Sequence, residues 1–175
     1  MPKVLPAKRL LRVSLATTQL ISFWNEGVSL AKDSGQSVEQ LLHKVAADRW
    51  GFAAIQHAHA GTLMKQSPPV YRSAISRYYY GMYHAMRACV FLAYPGDDHQ
   101  DHSKLPLNIP KDFDPTGTDW QGKLKDARLA RNRADYEPYP KANTAWRIMA
   151  LATQSDANDL LKTSRIYLRK KGCSL

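Results

Sequence analysis

The sequence predicts an all-α fold, a four-helix core with one further helix ahead of it, and three observations carry that prediction. Ile75, Tyr79, Met82, Met86, Cys89 and Ala93 repeat at spacings of 4, 3, 4, 3 and 4, a near-heptad seam suited to packing between helices. Trp120, Leu124, Ala127, Arg131 and Ala134 fall 4, 3, 4 and 3 apart, a second helical stripe. Clusters such as Ser67-Pro68-Pro69 and Tyr94-Pro95-Gly96-Asp97 break the chain between such runs.

Taken in order, residues 10–31 read as one helix, with Pro6 limiting its start and Lys32-Asp33-Ser34-Gly35 ending it. Residues 1–34 are therefore read as an N-terminal extension and residues 35–175 as the main domain. Ser37 and Gln40 form a capping box for the next helix, which runs through Leu41, Leu42, Val45, Phe52, Ile55 and Leu63 to the prolines at 68 and 69. Residues 70–93 carry the heptad seam. A loop containing Pro106, Pro110, Pro115 and Gly117 extends to about residue 118, and long loops in compact domains are often functional. The Trp120 helix should stop near Tyr136, because Pro138 biases Glu137 away from helical angles. A last helix starts at an Asn143 or Thr144 cap, runs through Trp146, Ala150, Ala157, Leu160 and Leu168, and ends in Arg165, Arg169, Lys170 and Lys171 before Gly172.

A chain of 175 residues, 44% apolar and with four Trp and nine Tyr, is a globular protein of single-domain size. Lys and Arg exceed Asp and Glu by ten, which favours a polyanionic partner without separating RNA from DNA or an acidic protein. Cys89 and Cys173 form no metal, redox or disulfide spacing, so a cytoplasmic protein is expected. Lys3, Lys8, Arg9 and Arg12 give the start of the chain a slight likeness to a signal peptide, but Thr17-Thr18-Gln19 interrupts its apolar part. No apolar run reaches the length of a membrane span, so no membrane association is expected.

Chemistry gathers at residues 127–140, where three arginines on a helix, Arg128, Arg131 and Arg133, meet two acids, two tyrosines and two prolines. Arg131 continues an apolar stripe and needs a partner, which Asp135 can supply four residues on. That pair is either a structural clasp or part of a phosphate site. On the seam helix, Arg77, Tyr80, His84 and Arg87 line up at spacings of 3, 4 and 3, a cation and ring face suited to phosphates and stacked bases. Asp97-Asp98-His99-Gln100-Asp101-His102 offers oxygen and imidazole ligands, but no second ligand cluster stands at a metal-site spacing. No metal and no cofactor is expected.

Three segments together resemble a known family. Ser76-Arg77-Tyr78-Tyr79-Tyr80-Gly81-Met82-Tyr83-His84-Ala85 resembles the SRaYYamfhA helix of bacterial HEPN proteins, Arg131-Asn132-Arg133-Ala134-Asp135-Tyr136 their RxxADY segment, and Asp101-His102-Ser103-Lys104 the sHk loop between them. Order and spacing agree over residues 38–165. The resemblance implies an antiparallel four-helix bundle that forms a homodimer and binds RNA or a nucleotide. Many members are metal-independent ribonucleases acting as toxins or in phage defence, often paired with a nucleotidyltransferase antitoxin; others are non-catalytic and bind a nucleotide or a partner protein. In the nuclease branch the arginine is followed closely by a histidine. Here the fifth position after Arg131 is Tyr136, and no histidine follows His102. Tyrosine, with an unperturbed pKa of about 10, is a poor base at neutral pH. The expected catalytic set is Arg131, Asp135, Tyr136 and His84, with His102 as another source of an imidazole. Arg77, Tyr80, Arg87, Arg128, Arg133 and His102 are the expected contacts to RNA phosphates, and Tyr136 and Tyr139 are candidate targets of nucleotidylation.

Overall fold

A computed structural model of the chain describes residues 11, 14–98, 100–139 and 141–175. Lys3, Lys8, Arg9, Arg12, His99, Pro140 and the expected helix start at Leu10 lie outside the described residues. Among the described residues there are helices α1 (Thr18–Ser34), α2 (Val38–Met64), α3 (Tyr71–Ala93), α4 (Trp120–Tyr136) and α5 (Asn143–Lys170), a 3-10 turn at Leu105–Leu107, and no strand. The chain divides into two compact units, residues 1–41 and residues 42–175. None of the described helices is long and apolar enough to cross a membrane.

In the first unit, the helix expected over residues 10–31 is interrupted at residues 16–17, and α1 runs on past its expected end. Thr17 is its N-cap, accepting from the Leu20 N–H at 3.3 Å, so a residue that interrupts an apolar run instead satisfies an orphan donor. The helix continues to Ser34 because Gly35 takes a φ of 66° and closes it with a left-handed cap. The Ser37 and Gln40 capping box forms in both directions, at 3.1 and 2.8 Å.

In the second unit, α3 is central. Ile75, Tyr79, Met82, Met86 and Cys89 are all buried, as the heptad seam requires, while Ala93 at its end is half-buried. Met82 and Met86 pack in a core with Leu105, Trp120, Leu124, Leu160 and Leu168; Ile75 packs in a second cluster with Ala134, Trp146 and Ala150. Gln56 meets Arg77 and Phe52 meets His84, so α2 and α3 are antiparallel. Arg72 meets Ala134 and Tyr80 meets Arg131, so α3 and α4 are antiparallel too. Gly81 lets α2 approach: a Cβ there would stand 3.3 Å from the Ala53 carbonyl oxygen. Trp50 of α2 donates its indole N–H to Ser164 of α5 at 2.9 Å, pairing a fully buried hydroxyl.

Some boundaries shift. The second helix stops at Met64, before the prolines, and α3 begins at Tyr71 with Val70 as an N-cap whose apolar side chain has no acceptor for the first turn. Neither Asn143 nor Thr144 caps α5. Ala142 is the N-cap, and Asn143 already lies inside the helix, past the position from which its side chain serves the first turn.

Candidate functional site

Helix α4 ends as Pro138 dictates: Glu137 is extended, at φ −94° and ψ 131°, and Tyr136 is the last helical residue. One turn earlier, the Arg131 guanidinium is held on all sides. Its Nε lies 2.8 Å from Asp135 Oδ2 as a charge contact and not an aligned hydrogen bond. Nη2 donates to the Tyr80 hydroxyl at 2.7 Å and Nη1 to Asn132 Oδ1 at 3.0 Å. The Tyr80 and Tyr136 rings lie 5.4 and 5.5 Å from its central carbon. Asp135 in turn accepts from Ser76 Oγ at 2.5 Å.

Arg72, which the sequence reading passed over, fixes this helix end. Its Nε donates to the Ala134 carbonyl at 2.7 Å and Nη2 to that of Glu137 at 2.6 Å, satisfying carbonyls that a helix C-terminus leaves open. Its sequence signal is slight: Arg72 precedes Ser76 by four residues and so shares its face of α3.

Three tyrosines of α3 hold the loop beside Arg131. The Tyr79 hydroxyl lies 2.5 Å from His102 Nδ1, the Tyr83 ring stacks on His102 with centroids 4.1 Å apart, and the Tyr83 hydroxyl donates to the Gln100 carbonyl. The Tyr80 ring meets His102 edge-on at 6.2 Å. His102 is therefore a neighbour of Tyr80, whose hydroxyl already touches Arg131. Burial, then the charges of Arg128 and Arg131, lower the His102 pKa below its ordinary value. Burial, then Arg87, lowers that of His84 to about 4. His84 packs edge-on to Phe52 and Tyr83, at 4.7 and 4.9 Å.

The remaining arginines separate. Arg87 pairs with Asp97, which also takes Arg49 Nη1 at 2.9 Å; the hydrogen bond from Arg87 foremost draws the Asp97 carboxyl down to about 2. Arg128 stands close enough to depress the His102 pKa. Arg133 instead lines a groove between α4 and α5, with Asp126, Leu129 and Met149. Arg77 donates to Gln56 Oε1 at 2.9 Å and opens on a groove between α2 and α3. Arg131, Asp135, Tyr136, Tyr80, Arg128 and His102 thus form one cluster, His84 and Arg87 continue it along α3, and Arg77 and Arg133 stand apart. In the acidic loop, Asp97 is engaged by two arginines and His102 by tyrosines, and no group of three His, Cys, Asp or Glu side chains is placed to hold a metal among the described residues.

Neither the protein-family models nor the curated proteins contain a match to this chain.

Chemically, the cluster offers a fixed cation for a phosphate oxygen, an imidazole that is neutral at pH 7, and an exposed phenol at Tyr136, 73% accessible. A neutral imidazole can accept a proton, and a phenol can give one up to a stronger base. In the tautomer in which His102 Nδ1–H donates to the Tyr79 oxygen, the Nε2 lone pair is the one left to act.

Proposed function

We propose that this protein is a HEPN-type RNA-binding protein that cleaves RNA without a metal, as a toxin or in phage defence, and works as a homodimer. The observation that supports this reading is the hydrogen bond from Arg131 to Tyr80, which joins the arginine to the ring cluster holding His102. His102 thereby takes the place of the histidine that the nuclease branch carries after its arginine. His102 Nε2 accepts the proton of a ribose 2′-hydroxyl, whose oxygen attacks the adjacent phosphorus. The bond from phosphorus to the 5′-oxygen breaks, that oxygen takes a proton from the Tyr136 hydroxyl, and a 2′,3′-cyclic phosphate remains. Solvent returns a proton to Tyr136 and removes the one on His102. Arg131 meets the charge that develops on the phosphoryl oxygens, with Asp135 fixing its direction.

The test is incubation of wild-type, Arg131→Ala and His102→Gln proteins with total RNA and defined tRNAs in EDTA, with fragment ends read for cyclic phosphate. Wild type should cut, and loss of the base should slow cutting by about 10²-fold or more. A folded wild-type protein that leaves every RNA intact refutes the reading.

A second reading has its own observation: each guanidinium nitrogen of Arg131 already has an internal partner. On that basis the protein is a non-catalytic HEPN module that binds a nucleotide or a partner protein such as a nucleotidyltransferase. Arg131→Ala then lowers stability with no cleavage to lose.

A further inference from the structure

Between α2 and α3 lies a groove of about 470 Å³ that the Arg131 cluster does not use, lined by Gln56, His59, Thr62, Leu63, Ser73 and Arg77. Its volume lies within the range of small-ligand sites. No Asp or Glu lines it, so the Arg77 cation faces the groove without a carboxylate to neutralise it. Gln56, only 7% exposed, accepts from Arg77 Nη1 and so pins the guanidinium to the wall while the other nitrogens stay available. Ser73 brings a hydroxyl from the first turn of α3 and His59 an imidazole from α2. A planar guanidinium held this way, beside a hydroxyl and an imidazole, suits phosphate.

The same face of α2 continues past the groove. Phe52, Gln56, His59 and Leu63 fall 4, 3 and 4 apart, which places Phe52 just over one turn, about 6 Å, along the axis from Gln56. Phe52 is 45% exposed, and its ring is steadied edge-on by His84. An exposed aromatic one turn along α2 from the glutamine that holds the cation offers a stacking face for a base.

We infer that the groove between α2 and α3 binds a phosphate group carrying an aromatic base, either a free nucleoside monophosphate or one nucleotide of an RNA strand. Arg77 and Ser73 hold the phosphate, and Phe52 stacks the base. The inference stands on the groove and on Phe52 beside it, and not on the chemistry at Arg131.

The full chain is titrated with AMP, inorganic phosphate and a short single-stranded oligoribonucleotide, by calorimetry and by amide chemical shifts. AMP should shift residues 52–63 and 73–77 and leave residues 128–136 in place. Arg77→Gln should weaken AMP binding about tenfold or more, the loss of a charge-assisted hydrogen bond. Phe52→Ala should weaken AMP about five- to a hundredfold while leaving inorganic phosphate unaffected, since stacking involves the base alone. Lys125→Gln, an exposed cation outside the groove, controls for general charge and should bind as wild type. If Arg77→Gln fails to fold, Ser73→Asp places a carboxylate in the groove and should give the same loss. An oligonucleotide that binds more tightly than AMP identifies the strand as the ligand; AMP at equal or higher affinity identifies the free nucleotide. Absence of binding by all three probes, full AMP affinity in the folded groove variant, or shifts confined to residues 128–136 overturns the inference. RNA cleavage that fails while AMP still shifts the groove removes the ribonuclease reading alone.

Discussion

Replacing Asp135 with Ala removes the charge beside Arg131 and the acceptor of Ser76 in one step. The two side chains of the pair are 21% and 29% exposed, between the two limits for which magnitudes are known. Stranding one partner of a fully buried pair costs about 3–5 kcal/mol, and an exposed pair contributes about 0–1 kcal/mol. Ser76, 8% exposed, would be left with the Arg72 carbonyl at 3.5 Å, a poor substitute for a carboxylate. Arg131 keeps Tyr80 and Asn132, which limits the damage. The expected loss is about 2–3 kcal/mol, or about 4–12 °C in Tm for a chain of this size. Denaturant unfolding followed by circular dichroism should show a lower midpoint at an unchanged slope. Asp135→Asn keeps an oxygen for Ser76 and should cost only about 1 kcal/mol. Crossed with Arg131→Met, Asp135→Ala should show a coupling of about 1–2 kcal/mol. If both single variants stay within about 0.5 kcal/mol of wild type, the pair is surface decoration and the reasoning fails.

Two further outcomes follow from neighbouring contacts. His84 is neutral in the fold down to about pH 4, against 6.5 for a free imidazole, so the unfolded chain protonates first as pH falls. The stability it contributes is complete above pH 6.5 and lost towards pH 4. His84→Asn should flatten the decline of Tm across that window, leaving the share due to His102 and the separate loss from Asp97, which falls lower, between 3.8 and about 2; an unchanged slope would count against the assignment. Arg72→Met removes both hydrogen bonds to the end of α4 and should cost about 1–2 kcal/mol. Hydrogen exchange should quicken at residues 133–137 ahead of the rest of α4, and uniform exchange along the helix would show that Arg72 does not hold it.

What could be read from the sequence was what depends on neighbours along the chain. The α3 seam, the Ser37 and Gln40 box, the stop before Pro138 and the Arg131 and Asp135 contact all rest on spacings within two turns. What could not be read depends on where separate segments meet. Nothing in the order of residues places His102 between Tyr79 and Tyr83, commits Asp97 to both Arg49 and Arg87, or turns Arg72 towards α4. Arg133 shows the limit even within one helix. Two residues past Arg131, it faces a different groove, so a motif that groups the arginines by proximity in sequence overstates their proximity in space.

The run Tyr78-Tyr79-Tyr80 looks like one motif, and its three hydroxyl ends go three ways. A helix turns by about 100° per residue, so identical neighbours reach different principal partners. Tyr78 is fully buried with its ring edge-on to His57, Tyr79 reaches the loop at His102, and Tyr80 reaches α4 at Arg131. Such a run carries almost no information about its own alignment, because sliding it by one place puts a tyrosine where a tyrosine stood. The alignment must be set by positions that tolerate no exchange with their neighbours. Gly81, where a side chain would press on the Ala53 carbonyl, and Arg72 and Ser76, which grip the last turn of α4, are those positions. The most conspicuous letters of α3 are therefore the ones least able to keep it in place.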